Sequence, residues 1–381
     1  MPGLGRTTLL RFCPRGPATR ASRGAGRGRP AQTWGSAPIG TCYSYAQMMR
    51  AIFLLLIAPA LVLLAQNRNL DIYWVDVEGG AATLIVTPAG ESLLIDTGNP
   101  GADDRDAKRI FEAAQGAGLK RIDYLLTTHY HGDHVGGAPA LAKMITIDHF
   151  LDHGESVEPS KPWDAYKSVA EGKRTTLKPG DKIPLKGVDV VVVASNGDTI
   201  KQPLKGSGPN EFCKDAQQHD PDKTENQRSV GVILTYGKFK FADFGDLTWD
   251  KEMELACPVN KLGRVTLLQA THHGFFNDYS GAPAHVWSLK PEVVVVNDGP
   301  RKGLMPPAWE KIQKIGGLEG VWQSHLALGN DKDHNTSEDM IANMEPTAQC
   351  KGHAIKASVS HDGTFTITNT RNGFSKKYSA K

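Results

Sequence analysis

The chain has 381 residues, a formal net charge of +3 and 40% hydrophobic residues, which is ordinary for a soluble protein of one large domain or two small ones. The charge is unevenly spread, because residues 1–65 contain eight Arg and no Lys, Asp or Glu, which leaves 36 basic against 41 acidic residues in the remainder. That mildly acidic remainder has no basic stripe to hold a phosphate backbone, so polymeric nucleic acid is a doubtful partner.

The first 65 residues have the composition of a leader. Residues 1–47 are rich in Arg, Gly, Pro, Ser and Ala without hydrophobic periodicity, and we expect them to be disordered. The positive segment 48–50 precedes an apolar run over 51–65, which predicts a secretory signal peptide at 48–65. We therefore expect translation to start at Met48 or Met49, and a secreted or periplasmic mature chain without a membrane span. A transit peptide, or an uncleaved membrane anchor, is the alternative.

The rest of the chain, residues 70–381, is predicted to form one domain that begins with strands. Short apolar or alternating segments at 70–77, 82–87 and 92–98 are joined by glycine turns, which predicts an antiparallel meander. A helical pattern then covers 104–117 and ends at glycines.

Residues 127–137 hold the densest cluster of metal-ligand side chains in the sequence. They follow an apolar strand at 122–126 and precede a helical pattern with an early proline at 138–144, so they form a loop at a strand end. Imidazole and carboxylate are ligands for a borderline divalent ion such as zinc. The spacing predicts a metal site here, formed by His129, His131, Asp133 and His134.

Further strands and helices alternate downstream. A long polar segment at 196–226 is expected to be a loop that borders the active site. A hairpin over 228–246 ends in Gly245-Asp246, and a strand at 265–271 runs into His272-His273-Gly274. The other predicted elements are strands at 145–151, 188–194, 291–297 and 321–325, helices at 163–170 and 307–315, and a C-terminal hairpin at 354–359 and 364–369.

Several short motifs occur in one order along the chain, and together they resemble the metallo-β-lactamase-fold hydrolases. The resemblance is to the soluble hydrolase domain of bacterial DNA-uptake competence proteins, which is itself similar to choline-phosphate esterases. It implies an α/β fold, a four-layer αβ/βα sandwich. The motifs are Asp76-Val77 with Gly80, Ile95-Asp96-Thr97-Gly98, the H-x-H-x-D-H pattern at 129–134, Ser229-Val230, Gly245-Asp246 and His272-His273-Gly274.

The resemblance implies one or two divalent metal ions, with zinc expected and manganese or iron as alternatives. Asp246 would bridge the metals, and Asp96 would support the metal loop unless it only caps its strand. The roles of His272 as ligand and His273 as neighbour or substrate contact could be exchanged. The implied ligands are His129, His131, Asp133, His134, Asp246 and His272.

One departure from the family pattern concerns a further histidine between the histidine loop and the bridging aspartate. Only His149, His153 and His219 lie in that section, and a solvated loop residue is the better interpretation of His219. A site with a single metal therefore stays open.

The chemistry that follows from these ligands is hydrolysis by a metal-bound water, whose pKa falls from 15.7 to about 7. Asp133 and Asp246 would orient that water as catalytic residues. A small phosphoester or phosphodiester is the favoured substrate; cyclic amides or lactones are the alternative, and a catalytically inactive binding module is an alternative of another class. The candidate substrate contacts are Arg301, Lys302, His273 and His325.

Three cysteines follow the predicted signal peptide: Cys213, Cys257 and Cys350. The odd number requires at least one free thiol or an intermolecular pair, and one disulfide is possible in an exported protein. The sequence leaves the pairing open.

Overall fold

The computed structural model describes residues 69–275, 279–345 and 350–381. The predictions of a leader at 1–47 and a signal peptide at 48–65 lie outside these residues. Within them, none of the helices has the length and apolar character that crossing a membrane requires.

The strands number twenty in the described residues, and most begin or end within a few residues of the sequence prediction. They are β1 (Leu70–Trp74), β2 (Thr83–Val86), β3 (Ser92–Ile95), β4 (Arg121–Leu126), β5 (Thr146–Asp152), β6 (Arg174–Thr176), β7 (Lys182–Ile183), β8 (Asp189–Ser195), β9 (Asp198–Thr199), β10 (Gly208–Pro209), β11 (Gly231–Tyr236), β12 (Phe239–Asp243), β13 (Val259–Asn260), β14 (Leu267–Gln269), β15 (Val293–Val296), β16 (Gly320–His325), β17 (Ile341–Asn343), β18 (Ile355–Val359), β19 (Thr364–Asn369) and β20 (Ser375–Ser379).

The helices are fewer than the strands, and a further short turn at Thr271–Phe275 contains residues with a left-handed backbone. The helices are α1 (Arg105–Gly116), α2 (Gly132–Val135), α3 (Ala138–Met144), α4 (Lys161–Ala170), α5 (Trp249–Ala256), α6 (Pro283–Leu289) and α7 (Pro306–Gln313), with single 3₁₀ turns at Ala102–Asp104, Glu211–Cys213, Glu225–Arg228, Lys332–His334 and Glu338–Met340. Helix α1 buries Ala107, Ile110 and Ala114, which recur every three or four residues along one face.

The strands form two large sheets. The first has the order β20-β19-β18-β1-β2-β3-β4-β5-β6, and its β1–β3 segment is the predicted antiparallel meander. The second has the order β17-β16-β15-β14-β12-β11-β8-β7, with β9 paired to β8. Strands β12, β14, β15, β16 and β17 are mutually parallel. Their carboxyl ends therefore share one edge of the second sheet, where ligand sites of parallel sheets lie.

Three hydrophobic layers hold the sheets and helices together. The central layer contains side chains of both sheets, including Trp74 of β1 and Phe241 of β12, whose rings meet edge to face at 5.8 Å. Burying an aromatic side chain of about 200 Å² contributes about 5 kcal/mol at ~25 cal/mol per Å². Two outer layers pack α1, α3 and α4 on the first sheet and α5, α6 and α7 on the second. The predicted four-layer sandwich is confirmed.

Two predicted strands are too long, and both end where the backbone turns left-handed. The strand predicted at 92–98 ends at Ile95, because Asp96 has φ 61°. The strand predicted at 265–271 ends at Gln269, shortly before His272 and His273 with φ of 52° and 56°. Positive φ is uncommon for residues other than glycine, and such strain collects at functional sites.

The long segment 196–226 has little regular structure, as predicted, and is tied to the end of α5. Its Cys213 forms a disulfide with Cys257, whereas Cys350 is a free thiol. The pairing that the sequence left open is thereby assigned.

Candidate metal centre

Five histidines and two aspartates from three chain segments meet at the carboxyl edge of the second sheet. One segment follows β4 and enters α2, the second follows β12, and the third follows β14. We call this group the histidine cluster: His129, His131, Asp133, His134, Asp246, His272 and His273. Six of the seven are the ligands predicted from the sequence.

Two glycines let the backbone segments approach closely enough to form the cluster. A Cβ on Gly137 would lie 2.1 Å from the carbonyl oxygen of Thr97, which no side chain tolerates. Gly245, with φ 55°, lies against the side chain of Thr128, which an added Cβ would approach to 2.7 Å. Glycine at 245 thus brings Asp246 next to the histidine loop.

His134 lies at the centre of the cluster and is held from behind by a buried carboxylate. Its Nδ1 lies 2.7 Å from Oδ2 of Asp96, which also accepts a hydrogen bond from the Thr128 hydroxyl. With Nδ1 directed at Asp96, Nε2 faces the cluster, 3.2 Å from Nε2 of His273 and 3.2 Å from Oδ1 of Asp246. Burial alone would lower the pKa of His134, but the carboxylates of Asp246, Asp96 and Asp133 raise that pKa well above its ordinary value.

His129 and His131 form the more open side of the cluster. Nε2 of His129 lies 3.1 Å from Nδ1 of His131 and 3.8 Å from Oδ2 of Asp246. Burial, together with the positive charge of His134, lowers the pKa of His129 well below its ordinary value, which favours a neutral imidazole. The other nitrogen of His131, Nε2, lies 3.2 Å from Oε2 of Glu158. Glu158 therefore holds His131 as Asp96 holds His134.

Asp133 and His273 form the other side of the histidine cluster. Nε2 of His273 lies 3.2 Å from Oδ2 of Asp133 and 3.6 Å from Oδ2 of Asp246. The ammonium group of Lys302 contacts the same Asp133 oxygen. Although burial would raise the pKa of Asp133, His134, His273 and Lys302 lower it well below the ordinary range, so this carboxylate is ionised.

His272 approaches Asp246 from the solvent side. Its Nε2 lies 3.3 Å from Oδ2 of Asp246, and its ring stacks on Tyr279 with 6.3 Å between the ring centroids. Burial lowers the pKa of His272 to about 4, which keeps this imidazole neutral.

The donor set of the cluster fits a bound divalent cation. Ligand atoms of His129, His134 and Asp246 lie within 4.8 Å of one another, and so do those of Asp133, His134 and His273. Within the histidine cluster, imidazole nitrogens of His129 and His131 face each other at 3.1 Å and those of His134 and His273 at 3.2 Å, where one nitrogen of each pair donates a hydrogen to the other. Such a concentration of buried lone pairs and carboxylates is costly without a cation to receive it. The nitrogen and oxygen donors suit zinc, manganese or iron.

A family model described as the metallo-beta-lactamase superfamily matches residues 75–211, the part of the chain that holds β2 to β10 and the histidine loop. Over these residues the chain is similar to the metallo-β-lactamase superfamily.

Sequence relatives match over short stretches of the chain. A metal-dependent hydrolase of Cupriavidus metallidurans is 41% identical over 75 residues, which are 19% of this chain and 22% of the relative. An atrochrysone carboxyl ACP thioesterase of Aspergillus fumigatus is 33% identical over 94 residues, 25% of this chain and 20% of the relative. The chain thus spans about a fifth of the length of these curated relatives.

Among solved structures, the metallo-beta-lactamase fold protein YhfI of Bacillus subtilis aligns with a TM-score of 0.43 and 10% sequence identity. The alignment covers 67% of this chain and 96% of YhfI.

Within the histidine cluster, the geometry favours His273 over His272 as the partner of Asp133 and His134. The sequence prediction named His272 as the ligand and left the exchange open. Nε2 of His273 is 3.2 Å from both Oδ2 of Asp133 and Nε2 of His134, whereas Nε2 of His272 meets Oδ2 of Asp246. The left-handed turn at both residues decides which ring faces inward, and the His-His pattern does not encode that turn.

The predicted substrate contacts are distributed unevenly in the domain. Lys302 reaches the cluster through Asp133, and Arg301 is exposed in the turn beside it. His325 is buried, with Nε2 bound to Oδ1 of Asp76 at 2.7 Å, so it is poorly placed to meet a substrate. His219 stacks on Trp249 at 4.0 Å in an exposed position, which agrees with its interpretation as a loop residue.

Glu158 is the site residue that sequence reasoning missed. It lies in the segment between β5 and α4, where no motif marks it. Its Oε1 accepts a hydrogen bond of 3.0 Å from the backbone nitrogen of Glu225, so the end of the long loop at 196–226 reaches the cluster through this side chain. Glu225 in turn lies 2.9 Å from Nε2 of the buried His153.

Proposed function

We propose that this protein is a metal-dependent hydrolase that attacks its substrate with a metal-activated water. The observation that carries the proposal is the convergence of two ligand groups on one shared residue, His134, with Oδ1 of Asp246 3.2 Å from its Nε2. The activity of the relative from Cupriavidus metallidurans, as its name gives it, supports the same reaction class.

The ligands would divide between two positions. His129 and His131 would hold a cation through Nε2 and Nδ1, and Asp133, His134 and His273 would hold a second through one carboxylate oxygen and two Nε2 atoms. Asp246 would contribute to both, because Oδ1 lies toward His134 and Oδ2 toward His129. When bound, a divalent ion supplies the Lewis acidity that makes water a nucleophile near neutral pH.

The remaining side chains would orient the reactants. Asp133 and Asp246 are ionised, because neighbouring histidines outweigh burial and lower the pKa of both carboxyls well below the ordinary range. Each can accept a hydrogen bond from an attacking water. Lys302 donates to Asp133 and, as an ammonium with three donors, has hydrogens left for an anionic substrate oxygen.

Phosphoesters or phosphodiesters are the proposed substrates. A pair of metal positions suits an in-line displacement at phosphorus, because the attacking and leaving oxygens are both stabilised. Lys302 supplies positive charge next to these positions, and Arg301 lies in the same turn.

Thioester hydrolysis is a second candidate, supported by a different observation. Two of the sequence relatives are named atrochrysone carboxyl ACP thioesterases, one from Aspergillus fumigatus and one from Pseudocercospora fijiensis, each 33% identical over the matched part. A metal-activated water can attack a thioester carbonyl as well as phosphorus, so the ligands alone do not separate the two.

A substrate panel with defined metal content tests both candidates. The purified full chain is stripped with a chelator, reloaded with zinc or manganese, and assayed on bis(4-nitrophenyl) phosphate, 4-nitrophenyl phosphate, an acyl thioester, a chromogenic β-lactam and a lactone. We expect the phosphodiester to be turned over fastest, only after reloading. Fastest turnover of the thioester would select the second candidate.

The His131→Ala variant tests the metal mechanism in the same assay, with His361→Gln at an exposed hairpin turn as the matched control. We expect His131→Ala to lose metal and activity while the control keeps both. Unchanged activity of His131→Ala would contradict the mechanism, whatever the substrate.

We also propose that the protein is exported. The segment 48–65 has the pattern of a signal peptide. The disulfide between Cys213 and Cys257 supports an oxidising compartment. Exported material should begin close to residue 66 when its N-terminus is sequenced; material that begins at residue 1 would refute the proposal.

A further inference from the structure

A second group of metal-ligand side chains lies at the same sheet edge, outside the histidine cluster. Oδ1 of Asp76 lies 2.7 Å from Nε2 of His325, and Oδ2 of Asp76 lies 3.2 Å from Sγ of Cys350. Sγ of Cys350 is 3.9 Å from Nε2 of His325. We call these three residues the Asp76 cluster; Asp76 and His325 are buried and Cys350 is half-buried.

Three elements that are distant in sequence build the Asp76 cluster. Asp76 follows β1, His325 ends β16, and Cys350 precedes β18, the strand that pairs with β1. Strand β16 is two strands away from β14, which leads to His272. No residue of the Asp76 cluster belongs to the histidine cluster, so the catalytic proposal leaves these three side chains without a role.

The ligand atoms of the three residues lie at separations close to those of a tetrahedral metal site. Zinc bonds of 2.0–2.3 Å with tetrahedral angles place ligand atoms about 3.3–3.8 Å apart. Sγ of Cys350 and Nε2 of His325 are 3.9 Å apart, and each lies 2.7–3.2 Å from one of the two carboxylate oxygens of Asp76, either of which can serve as the third ligand atom. One imidazole, one thiolate and one carboxylate are a typical donor set for a borderline ion.

The charges around the Asp76 cluster are also compatible with binding of a divalent cation. Asp76 is paired with Arg109 at 2.8 Å, and Arg109 is paired with Glu78 at 3.2 Å. The carboxylate of Asp76 and the thiolate that Cys350 would form on binding, with release of its proton, supply two negative charges to a bound dication.

We propose that Asp76, His325 and Cys350 form a second, structural metal site that takes one zinc-like divalent ion. The site joins the segment after β1 to the segment before β18, next to the turn at Gly79 and Gly80 that packs against Lys302 and Asp133. It is independent of the histidine cluster, since no ligand is shared.

Cobalt titration reports this site directly, because a thiolate bound to Co²⁺ gives a near-ultraviolet charge-transfer band that imidazole and carboxylate ligands do not. Metal-free full chain, prepared without air and with its disulfide intact, is titrated with Co²⁺. We expect the band to appear in the wild type and in His129→Ala, and to be absent in Cys350→Ser. No band in the wild type, or a band that persists in Cys350→Ser, would overturn the proposal.

Protection of Cys350 from alkylation needs no substitution at the site. Zn²⁺ should slow modification of Cys350 by iodoacetamide at least about tenfold, as measured by mass spectrometry of its peptide. His325→Gln should abolish the protection, whereas His361→Gln should retain it. An alkylation rate that Zn²⁺ leaves unchanged in the wild type would overturn the proposal. In His129→Ala, we expect Zn²⁺ still to protect Cys350 from alkylation although hydrolysis is lost. This result would show that the two proposals can fail independently.

Discussion

The histidine cluster and the Asp76 cluster occupy one sheet edge but satisfy their polar atoms in different ways. In the Asp76 cluster each acceptor has a donor: Asp76 receives hydrogen bonds from His325, Arg109 and the thiol of Cys350. In the histidine cluster, imidazole nitrogens face other imidazole nitrogens at 3.1 and 3.2 Å.

This difference indicates which cluster depends on a bound metal ion. The Asp76 cluster is electrostatically complete with protons in place and would exchange them for a metal. The histidine cluster gathers five imidazoles and two carboxylates in close contact, a donor set that a divalent cation would occupy. Substitutions should therefore affect metal content most in the histidine cluster and protein stability most in the Asp76 cluster.

Replacement of the central ligand should have the largest effect. His134→Ala removes the imidazole that both ligand groups share, and we expect hydrolysis to fall about 10³-fold, a loss of about 4 kcal/mol. Metal content per chain should fall in parallel, as measured by plasma mass spectrometry, while His361→Gln stays at the wild-type value. Full metal content in His134→Ala would break the distinction between the clusters.

The Asp76 cluster should reveal itself in the pH dependence of stability without metal. The pKa of His325 in the folded chain, about 10, exceeds its ordinary value of 6.5, so its contribution is complete below pH 6.5 and is lost as pH rises through 10. That contribution is on the order of 3 kcal/mol. Urea unfolding with a chelator present should give a wild-type advantage over His325→Gln at pH 6 that shrinks by pH 10. An advantage that is independent of pH would contradict this assignment.

Loss of the buried carboxylate behind His134 should have an intermediate effect. Asp96→Asn keeps the size of the side chain but removes its negative charge. The amide has one neutral oxygen, in place of two charged ones, to accept the hydrogen bonds from His134 and Thr128. Outer-shell substitutions of this kind cost about 10–100-fold in metal affinity or activity. Metal competition with a chromogenic chelator measures the affinity, and wild-type affinity in Asp96→Asn would show that Asp96 only caps β3.

Loss of the Glu158 carboxylate, which contacts His131, should have the smallest effect. Glu158 is 42% exposed at its side chain and meets an imidazole that is 34% exposed, so solvent screens the interaction. Glu158→Gln should lower activity by no more than about threefold, which corresponds to less than 1 kcal/mol. A loss as large as that of Asp96→Asn would mean that exposure does not set the strength of these two contacts.

The two clusters also differ in how far the sequence predicts them. The ligands at 129–134 lie within six residues at the end of a strand, so local spacing was sufficient. The role of Asp246 and the four-layer sandwich are what the resemblance to the metallo-β-lactamase fold implies, because the short motifs occur in the same order along the chain.

What the sequence could not supply depends on contacts between distant segments. Which ring of the His-His pair faces the cluster depends on the positive φ at His272 and His273. The contact of Glu158 with His131 depends on how the segment after β5 meets the end of the long loop at 196–226. The Asp76 cluster joins positions 76, 325 and 350, which no spacing rule connects. The sequence predicts a substrate contact at His325, whose buried partner Asp76 lies 249 residues away in sequence.

Anomalous X-ray diffraction at a metal absorption edge tests the central claim most directly. Crystals of the metal-loaded full chain should give an anomalous peak about 2.0–2.3 Å from Nε2 of His134 or of His129, on the side that faces Asp246. An atomic metal peak bounded by these ligands is the predicted result. The account would be contradicted if crystals grown with saturating zinc showed these side chains in the same arrangement but no anomalous peak among them.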